Sequence, residues 1–480
     1  MHRINFFFIL SFLSFICAKV SFANHEIYKN DFEKIDSCEI VVPEIGHSYF
    51  VSVNGRSNGT GSLENPLDLA TALSSQSPAQ DGDTIWVLAG TYTGLYTSNI
   101  EGRQGSPITV RPLNGNHVVI DTNVPGQSGA GLTINGDWVI FRDFEVMSSD
   151  GNRETLIDGS NPSDITLNSG VTIFAESSKL INFVIHDTAQ GISFWKPAIN
   201  SELYGNIIYN NGWSAPGRGH GHAIYTQNLI ETKLIENNII FFGFGTGIHA
   251  YTENGSIQGF DIKNNVWFQT GASDPRASQR KDNCLVGGFQ PVARLLLENN
   301  QGWSHGRGTR IGYGGSVANV DVTFKDNYLA EGVWIVSSWQ SITMVNNTIH
   351  GSLINLDPSL YPGNTITTSH PDSGKKVFLE KNKYDLNRAR LTIYNYDDSD
   401  NVSVDASSFL TVGDSYEIFS VFDIYGDALL AGIYDGNSVS IPMGTVPPVQ
   451  PIGLSDGISG SDDPGKSFAV FLIRRTACAQ

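Results

Sequence analysis

Asparagines recur through the middle of this chain of 480 residues, and most of them lead into a short apolar or aromatic run. The intervals between them are 24, 32, 27, 35, 27 and 20 residues, and the last five lie in Asn-Asn or Asp-Asn pairs. A repeat of this length indicates stacked supersecondary units, so it constrains the fold more than any other feature. The seven asparagines are Asn182, Asn206, Asn238, Asn265, Asn300, Asn327 and Asn347.

The segments between the asparagines are short runs in which apolar and polar residues alternate. They are rich in Ile, Val, Phe and Tyr and are bounded by Gly, Asn, Asp or Ser, a pattern typical of strands and turns. We therefore predict an all-β fold, a single-stranded parallel β-helix in which each repeat forms one coil. An asparagine at a corner tolerates left-handed backbone geometry and stacks on the asparagine of the next coil. A β-sandwich or propeller is the alternative, but Asn-Gly hairpin turns are sparse.

The two ends of the chain differ from the repeat region. Residues 1–23 are typical of a secretory signal, with an apolar core and a small-x-small cleavage site. Residues 24–48 are predicted as a lead-in, and residues 49–384 as the β-helix with an N-terminal cap. Residues 387–480 contain hairpin-length strands with Asp-Gly turns, which predict a C-terminal antiparallel β-sandwich domain. We expect a secreted or periplasmic protein without a transmembrane segment.

Charge and cysteine content limit the partners and the covalent framework. The net charge of −18 argues against nucleic acid as a partner. Residues 273–313 nevertheless carry a local cluster of arginines that suits an anionic ligand. Cys38 and Cys478 can pair if the termini meet, whereas Cys284 lies in an apolar strand and is predicted to be a buried small hydrophobic residue.

The start of the repeat region contains one predicted helix, from Pro66 to about Ser75, between two strands. Such a segment covers the open edge of the first coil. Residues 49–94, with the SPITVRP sequence at 106–112, resemble the N-terminal cap of secreted right-handed parallel β-helix proteins, including the chondroitinase-B-like and alginate-lyase-like polysaccharide lyases. The resemblance implies a right-handed, pectate-lyase-like scaffold. It transfers no catalytic residue, because the calcium-binding acidic strand and catalytic lysine and arginine of the chondroitinase-B-like family are not matched.

Three repeats share a Gly-Ile or Ala-Ile dipeptide by which their strands can be aligned. The sequences are GISFW, AIYTQ and GIHAY at 191–195, 223–227 and 247–251. Alternation then places one row of side chains on the outer face. This first row consists of Ser193, Tyr225 and His249, and a second row beside it consists of Trp195, Gln227 and Tyr251. Aromatic rings and hydrogen-bonding groups on a rigid sheet suit a sugar chain, so a polysaccharide is the predicted partner of a protein that we expect to be monomeric.

The densest group of reactive side chains lies at 218–228, where His220 and His222 face one side together if the segment is extended. Elimination from a uronate needs a cation to neutralise the carboxylate and a base near the C5 proton. The predicted catalytic residues are His220, His222, Tyr225, His249, Arg307 and Arg310. The predicted substrate-binding residues are Trp195, Gln227, Tyr251, Arg280, Lys281 and Tyr313.

The sequence favours a lyase acting on a uronate-containing glycan, and three alternatives stay open. A non-enzymatic glycan-binding or cell-surface protein needs only the aromatic row. A glycoside hydrolase usually needs two carboxylates. Gly219-His220-Gly221 and Arg310-Ile311 resemble fragments of the pectin-hydrolysing β-helix family, but the paired aspartates that should precede the histidine are missing from this sequence. His220 and His222 can also ligate a divalent metal, but no third ligand is identifiable, so the cofactor is unknown. Any one of these histidines can also serve only to cap a turn.

Overall fold

The asparagine repeat folds into a parallel β-helix, as the strand pattern predicts. The computed structural model describes residues 46–276, 281–314, 316–454, 458 and 462–478. The predicted signal, nearly all of the predicted lead-in and Cys38 lie outside the described residues. Each coil contributes strands to three faces, and strands of neighbouring coils pair in parallel.

The first face is an eleven-stranded sheet, with strands numbered in chain order. Its strands are β1 (Ser48–Val51), β2 (Thr84–Val87), β5 (Ile108–Pro112), β8 (Val139–Arg142), β11 (Lys179–Ile181), β14 (Glu202–Tyr204), β19 (Lys233–Glu236), β22 (Ile257–Lys263), β25 (Val292–Glu298), β27 (Ala318–Lys325) and β29 (Ser338–Val345).

The second and third faces join into one sheet, because β26 (Gln301–Ile311) and β28 (Tyr328–Ile335) run through both. The second face also contains β3 (Gly90–Thr93), β6 (Val118–Asp121), β9 (Glu145–Met147), β12 (Val184–His186), β15 (Ile207–Tyr209), β20 (Ile239–Phe241), β23 (Val266–Phe268), β30 (Thr348–His350) and β32 (Thr365–Thr367). The third face also contains β4 (Tyr96–Ser98), β7 (Ala130–Ile134), β10 (Ser169–Ile173), β13 (Ile192–Phe194), β18 (Ile224–Thr226), β21 (Ile248–Ala250), β24 (Cys284–Val286) and β31 (Leu353–Ile354).

The corner between the first and second faces carries an asparagine ladder. The first residue of each asparagine pair is left-handed, as at Asn264 with φ of 53°. The second residue bonds to the next coil: Asn238 Nδ2 donates to Asn265 Oδ1 at 2.9 Å, and the Asn238 N–H donates to the same oxygen at 3.0 Å. The ladder therefore satisfies buried backbone groups at each bend. Its members are Asn206, Asn238, Asn265, Asn300, Asn327, Asn347 and Asn364.

Asn182 is one residue out of step with this ladder, so its predicted place there is wrong. It occupies the left-handed position, with φ of 57°, and Phe183 stands at the ladder position. The Phe183 N–H donates to Asn206 Oδ1 at 2.9 Å, which ends the ladder at this side. At the other end Asn364 extends the ladder; it follows Gly363 and not an asparagine or aspartate, so the pair pattern did not find it.

Helix α1 (Leu69–Leu73) covers the first coil. The Thr71 N–H donates to Asp68 Oδ1 at 2.8 Å, which caps the helix. Leu69 and Leu73 are buried in the same hydrophobic core as the coils. The predicted capping helix is confirmed, with a shorter span than expected. A short 3-10 turn lies at Pro358–Leu360.

An antiparallel region follows the last coil. One sheet contains β33 (Lys375–Lys381), β34 (Arg388–Asn395), β36 (Ser415–Ser420), β37 (Leu430–Ile433) and β39 (Phe468–Ala477), and a second contains β35 (Asn401–Val404) and β38 (Val439–Pro442). Leu391 and Ile418 of the first sheet share a core with Val402 and Ile441 of the second, so the predicted sandwich is confirmed. Its first strand begins at Lys375, before the expected boundary near residue 387, and the division into domains stays a prediction.

The sandwich packs sideways on the second face of the β-helix. Phe241 and Phe268 of successive coils stack at a centroid distance of 5.0 Å, and Phe268 meets Phe468 of the sandwich at 5.2 Å. These rings belong to one buried cluster shared by both parts. The part of the second face beneath these rings is therefore not available to a ligand.

A cluster of buried charges lies beside this contact. Glu145 is 2.6 Å from His117 Nε2 and 2.9 Å from His186 Nε2, and His186 Nδ1 lies 2.7 Å from Asp187 Oδ2. The Ile452 N–H donates to Asp187 Oδ1 at 2.8 Å, which ties the C-terminal region to the coils. Burial disfavours the imidazolium, yet hydrogen bonds to Asp187 and Glu145 raise the pKa of His186 to about 9. The cluster thus holds a buried cation between two carboxylates.

Three smaller points concern the cysteines and the helices. Cys284 is fully buried in β24, as predicted. Cys478 is disulfide-bonded, and its predicted partner lies outside the described residues. None of the helices in the described ranges is long and apolar enough to cross a membrane.

Candidate functional site on the third face

The outer side of the third face carries a row of side chains in register. Tyr225 pairs with His249 between β18 and β21, and Ser193 pairs with Tyr225 from the preceding coil. Their neighbours Ile224 and Ile248 point into the core. The predicted register is therefore confirmed. The row continues through Leu285, Arg310 and Trp334.

Long loops between the second and third faces form a wall beside this row. The Thr155 N–H donates to Ser214 O at 3.0 Å, and Ser214 Oγ donates to Asp274 Oδ1 at 2.6 Å. These bonds join three loops from different coils into one unit. Shorter loops at the other ends of the strands border the opposite side. We call the strip between the wall and these shorter loops the groove, and the row its floor. The wall loops are residues 148–168, 210–223, 269–276 and 281–283.

His222 and His249 meet on this floor. His222 Nε2 lies 3.1 Å from His249 Nδ1, and the Thr246 N–H donates to His222 Nδ1 at 3.1 Å. Because His222 Nδ1 accepts, the proton of its neutral ring lies on Nε2 and is donated to His249 Nδ1. The proton of neutral His249 then lies on its own Nε2. The pair therefore presents an N–H donor and has no free imidazole lone pair.

Burial and nearby cations keep both rings neutral. Burial, followed by the charges of Arg218 and Arg310, lowers the pKa of His249 to about 3. Burial, followed by His249 and Arg218, holds the pKa of His222 well below its ordinary value. The arginines also make this part of the groove electropositive, which favours an anionic ligand.

Aromatic side chains flank the histidines along the groove. Trp195 meets Tyr225 at a centroid distance of 5.6 Å, and Tyr251 stacks on His249 at 5.0 Å. Tyr251 in turn meets Tyr313 at 5.1 Å. This aromatic surface is continuous over several coils, as a bound sugar chain would require.

Arg310 places a cation on this surface. Its guanidinium lies 4.6 Å from the centroid of the Tyr313 ring, and NH1 is 3.9 Å from Asp282 Oδ2. Gln227 forms a side-chain hydrogen bond with Tyr225. The predicted site residues that the fold brings into one strip are Trp195, His222, Tyr225, Gln227, His249, Tyr251, Arg310 and Tyr313.

His220 does not share the surroundings of His222, as it would in an extended segment. Gly221 has φ of 82°, which breaks the alternation, and a Cβ there would lie 2.4 Å from Ala189 O. His220 ends β17 (Gly219–His220), which pairs with β16 (Trp213–Ser214) in the wall, and its ring stacks on Trp213 at 5.3 Å. His220 therefore belongs to the wall and not to the floor of the groove.

Lys281, Arg280 and Arg307 complete the predicted site residues. Lys281 is part of a wall loop. Burial, followed by the charges of Arg218 and Lys281, lowers the pKa of His220 to about 4. Arg280 lies outside the described residues, and the side chain of Arg307 lies outside the described atoms. The roles of Arg280 and Arg307 stay predictions.

Two contributors to the site were not predicted. The backbone N–H of Thr246 fixes the His222 ring, and a backbone donor leaves no signal in the sequence. Phe289, of which 53% is exposed, lies 5.7 Å from Tyr313. The sequence contains a pattern that could have identified Phe289. It is an aromatic residue that follows a glycine at the end of a strand, and Tyr313 has the same position.

The hypothesis of a metal held by His220 and His222 gains no support from these positions. Their rings have separate partners, namely Trp213 for His220 and His249 for His222. Within the described ranges, no group of three or more His, Cys, Asp or Glu side chains is arranged to hold a metal ion.

A comparison with known proteins finds that part of the chain is similar to a pectate lyase. No protein-family model matches the chain. A segment of 111 residues is 32% identical to pectate lyase L of Dickeya chrysanthemi and covers 20% of this chain. The chain spans about a quarter of the length of that relative, with 25% covered.

Solved structures give weaker similarities. One is an alginate lyase from Paenibacillus sp., with a TM-score of 0.40 and 17% identity over 68% of this chain and 98% of that chain. Another is a rhamnogalacturonan lyase, with a TM-score of 0.43 and 14% identity over 69% of this chain and 90% of that chain. The identity to pectate lyase L agrees with the predicted resemblance to β-helix proteins of the polysaccharide-lyase type.

Proposed function

We propose that this protein is an exported polysaccharide lyase that cleaves a uronate-containing glycan by β-elimination in the groove of the third face. The observation that carries the proposal is the neutral His222–His249 pair in register with Tyr225, with Arg218 and Arg310 nearby. This combination offers a cation for a carboxylate, a neutral N–H donor and a hydroxyl for proton transfer on one sheet surface.

The charge that develops on the uronate needs stabilisation. When the C5 proton leaves, negative charge spreads onto the adjacent carboxylate, and fixed donors lower the energy of that state. Arg310 supplies the cation in the groove, and His249 supplies the N–H at Nε2. Because the pKa of His249 is about 3, this ring stays a neutral donor through the physiological range.

Proton transfer falls to Tyr225. Neither histidine has a free lone pair, so an imidazole does not serve as the base in this arrangement. The Tyr225 oxygen, as the phenolate, takes the C5 proton, and the C–H electron pair forms the C4–C5 double bond as the bond from C4 to the glycosidic oxygen breaks. Tyr225 then returns the proton to that oxygen. Burial raises the pKa of Tyr225, an effect that a hydrogen bond with Gln227 opposes.

Hydrolysis by two carboxylates is less well supported. The outward row contains no carboxylate: its members are Ser193, Tyr225, His249, Leu285, Arg310 and Trp334. Asp282, 3.9 Å from Arg310 NH1, offsets the charge of that arginine. A hydrolase would need a second carboxylate across the bond, about 5–9 Å away.

The proposal is tested by incubating the purified protein with polygalacturonate, alginate, rhamnogalacturonan and chondroitin sulfate. Ultraviolet absorbance of the unsaturated uronate reports elimination, and new reducing ends on neutral glycans report hydrolysis. We expect absorbance with at least one uronate polymer, its loss in Tyr225→Phe, and its retention in Tyr416→Phe, a control in the sandwich. Silence on every polymer would refute the lyase, and binding without products would favour a glycan-binding protein.

A further inference from the structure

We propose that Phe289, together with Tyr251 and Tyr313, forms a second sugar-binding subsite that holds another uronate unit of the same glycan chain. The inference rests on the proposed function for the nature of the chain, but it concerns binding and can be measured without catalysis. It makes the ligand an oligomer that runs along the helix axis, and not a single disaccharide at His249.

The three rings converge although they come from different coils. Tyr251, Phe289 and Tyr313 follow the third-face strands β21, β24 and β26. Neighbouring coils are about 4.8 Å apart, so the backbones at Tyr251 and Tyr313 are separated by roughly 10 Å. Their ring centroids nevertheless lie 5.1 Å apart, and Phe289 is 6.3 Å from Tyr251 and 5.7 Å from Tyr313. The side chains therefore lean together into one cluster.

Phe289 has no place in a hydrophobic core. Its ring is 53% exposed, and its two aromatic contacts meet it at interplanar angles of 73° and 77°. Edge-to-face contacts of this kind orient the ring without covering it. Phe289 therefore extends the aromatic surface of Tyr251 and Tyr313, and contiguous apolar patches on a protein surface mark binding sites.

Glycines at the turns set the position of these rings. A Cβ at Gly288 would lie 2.2 Å from Thr252 O, and the Phe289 N–H donates to that oxygen at 3.0 Å. Gly312, just before Tyr313, has φ of 86°, and a Cβ there would lie 2.0 Å from Val336 O. Close backbone approaches thus position the aromatic residue that follows each glycine.

The chemistry of the cluster suits a pyranose ring. The C–H face of a pyranose ring packs on aromatic rings. Arg310, 4.6 Å from the Tyr313 centroid, lies where the cluster meets the proposed catalytic floor. Tyr251 also stacks on His249 at 5.0 Å, so the cluster is continuous with the proposed catalytic floor. One glycan chain can then contact both places.

The test uses binding in a Tyr225→Phe background, in which the chain is not cut. Calorimetric titration with disaccharides and hexasaccharides of galacturonate and of mannuronate compares Phe289→Ala, Phe289→Trp and the matched control Leu386→Ala. Leu386 is 61% exposed and lies in the C-terminal part of the chain. We expect Phe289→Ala to weaken hexasaccharide binding by about two- to tenfold, the range of one aromatic contact. Disaccharide binding should stay unchanged, and Phe289→Trp should restore the hexasaccharide affinity.

Three results would overturn the subsite. Phe289→Ala with unchanged hexasaccharide affinity would show that the ring does not contact the ligand. Equal losses of affinity for disaccharide and hexasaccharide would place Phe289 within a single short site. If the protein with Phe289 intact binds no hexasaccharide, uronate oligosaccharides are not the ligand of this surface. If the wild-type protein performs no elimination but the length-dependent loss is observed, the lyase proposal fails and the subsite stands.

Discussion

The Nε2 atom of His222 lies 3.1 Å from the Nδ1 atom of His249, and this contact, with the Thr246 N–H on the other nitrogen of His222, fixes the proton of each ring. Two adjacent histidines are usually taken as candidate bases. Here the hydrogen bonds occupy the lone pairs, so His222 orients His249 and His249 offers a donor. The pair therefore assigns proton removal to another group, and Tyr225 is in register beside it.

The pH dependence of elimination distinguishes the two assignments. If Tyr225 is the base, its raised pKa makes kcat/KM increase about tenfold per pH unit through neutral and mildly alkaline pH, with no inflection near 6.5. Initial rates on the reactive polymer, measured over short times, give the profile. A plateau that begins near pH 6.5 would instead indicate a histidine base of ordinary pKa.

Removal of His222 should affect turnover more than binding. His222→Ala deletes the donor to His249 Nδ1, so the His249 ring loses its fixed tautomer, and we expect kcat to fall about 10- to 100-fold with little change in KM. His249→Ala should cost about 100- to 1,000-fold, the range for loss of a donor to developing charge. Separate measurement of kcat and KM checks this, and an equal loss in both parameters would contradict the positioning role.

Arg310 should act on both substrate affinity and turnover, because its charge faces the uronate carboxylate before and during elimination. Arg310→Ala removes the cation beside Tyr313, and we expect kcat/KM to fall about 10- to 100-fold, as for loss of a charged hydrogen bond. Arg310→Lys should recover part of this, because the charge remains without the planar fork. Lys325→Ala on the first face is the control. An unchanged kcat/KM in Arg310→Ala, or an equal fall in the control, would argue against a direct contact with the glycan.

The asparagine ladder predicts a difference between neighbouring residues. Asn265→Ala removes the acceptor for the Asn238 N–H and the donor to Ile235 O, both buried, and should lower the free energy of unfolding by roughly 2–5 kcal/mol. Asn264→Gly keeps the left-handed φ of 53° and should change it by about 0.5 kcal/mol or less. Urea unfolding followed by circular dichroism compares the two, and equal effects would show that the ladder bonds do not stabilise the fold.

The buried cluster at the sandwich contact predicts a pH window of stability. His186 has a pKa of about 9 against an ordinary value of 6.5, so its stabilisation is complete below pH 6.5 and is lost as the pH rises through 9. The pKa of Glu145 is lowered to about 2 from 4.5, so its contribution is present above pH 4.5 and is lost as the pH falls through 2. Hydrogen bonds to His117 and His186 outweigh burial in this shift.

The measurement is the urea midpoint at pH 6.5 and at pH 9. We expect a lower midpoint at pH 9 in the wild type and a smaller difference between the two pH values in His186→Gln. An equal decrease in both proteins would mean that another group titrates.

Local patterns predicted the coils and the floor of the groove. The asparagine pairs predicted the coils because the ladder joins equivalent residues one coil apart. Alternation placed Tyr225 and His249 on one side of the sheet because side chains along a strand have a period of two. The same reasoning misplaced Asn182 by one residue, since the left-handed position and the ladder position accept the same residue type. It also kept His220 with His222, because nothing in an extended pattern shows that Gly221 turns the chain.

The sequence by itself therefore determined the β-helix, its cap, its sandwich and the outward row of Ser193, Tyr225 and His249, which follow from the repeat and from local strand, turn and helix patterns. Only the tertiary structure decided that His222 bonds to His249, that the sandwich covers the second face, and that Phe289 and Arg310 meet Tyr313. Periodicity fixes the side of a strand on which a residue lies. The contacts across coils depend on loop conformation and on how far side chains lean, and these depend on long-range packing.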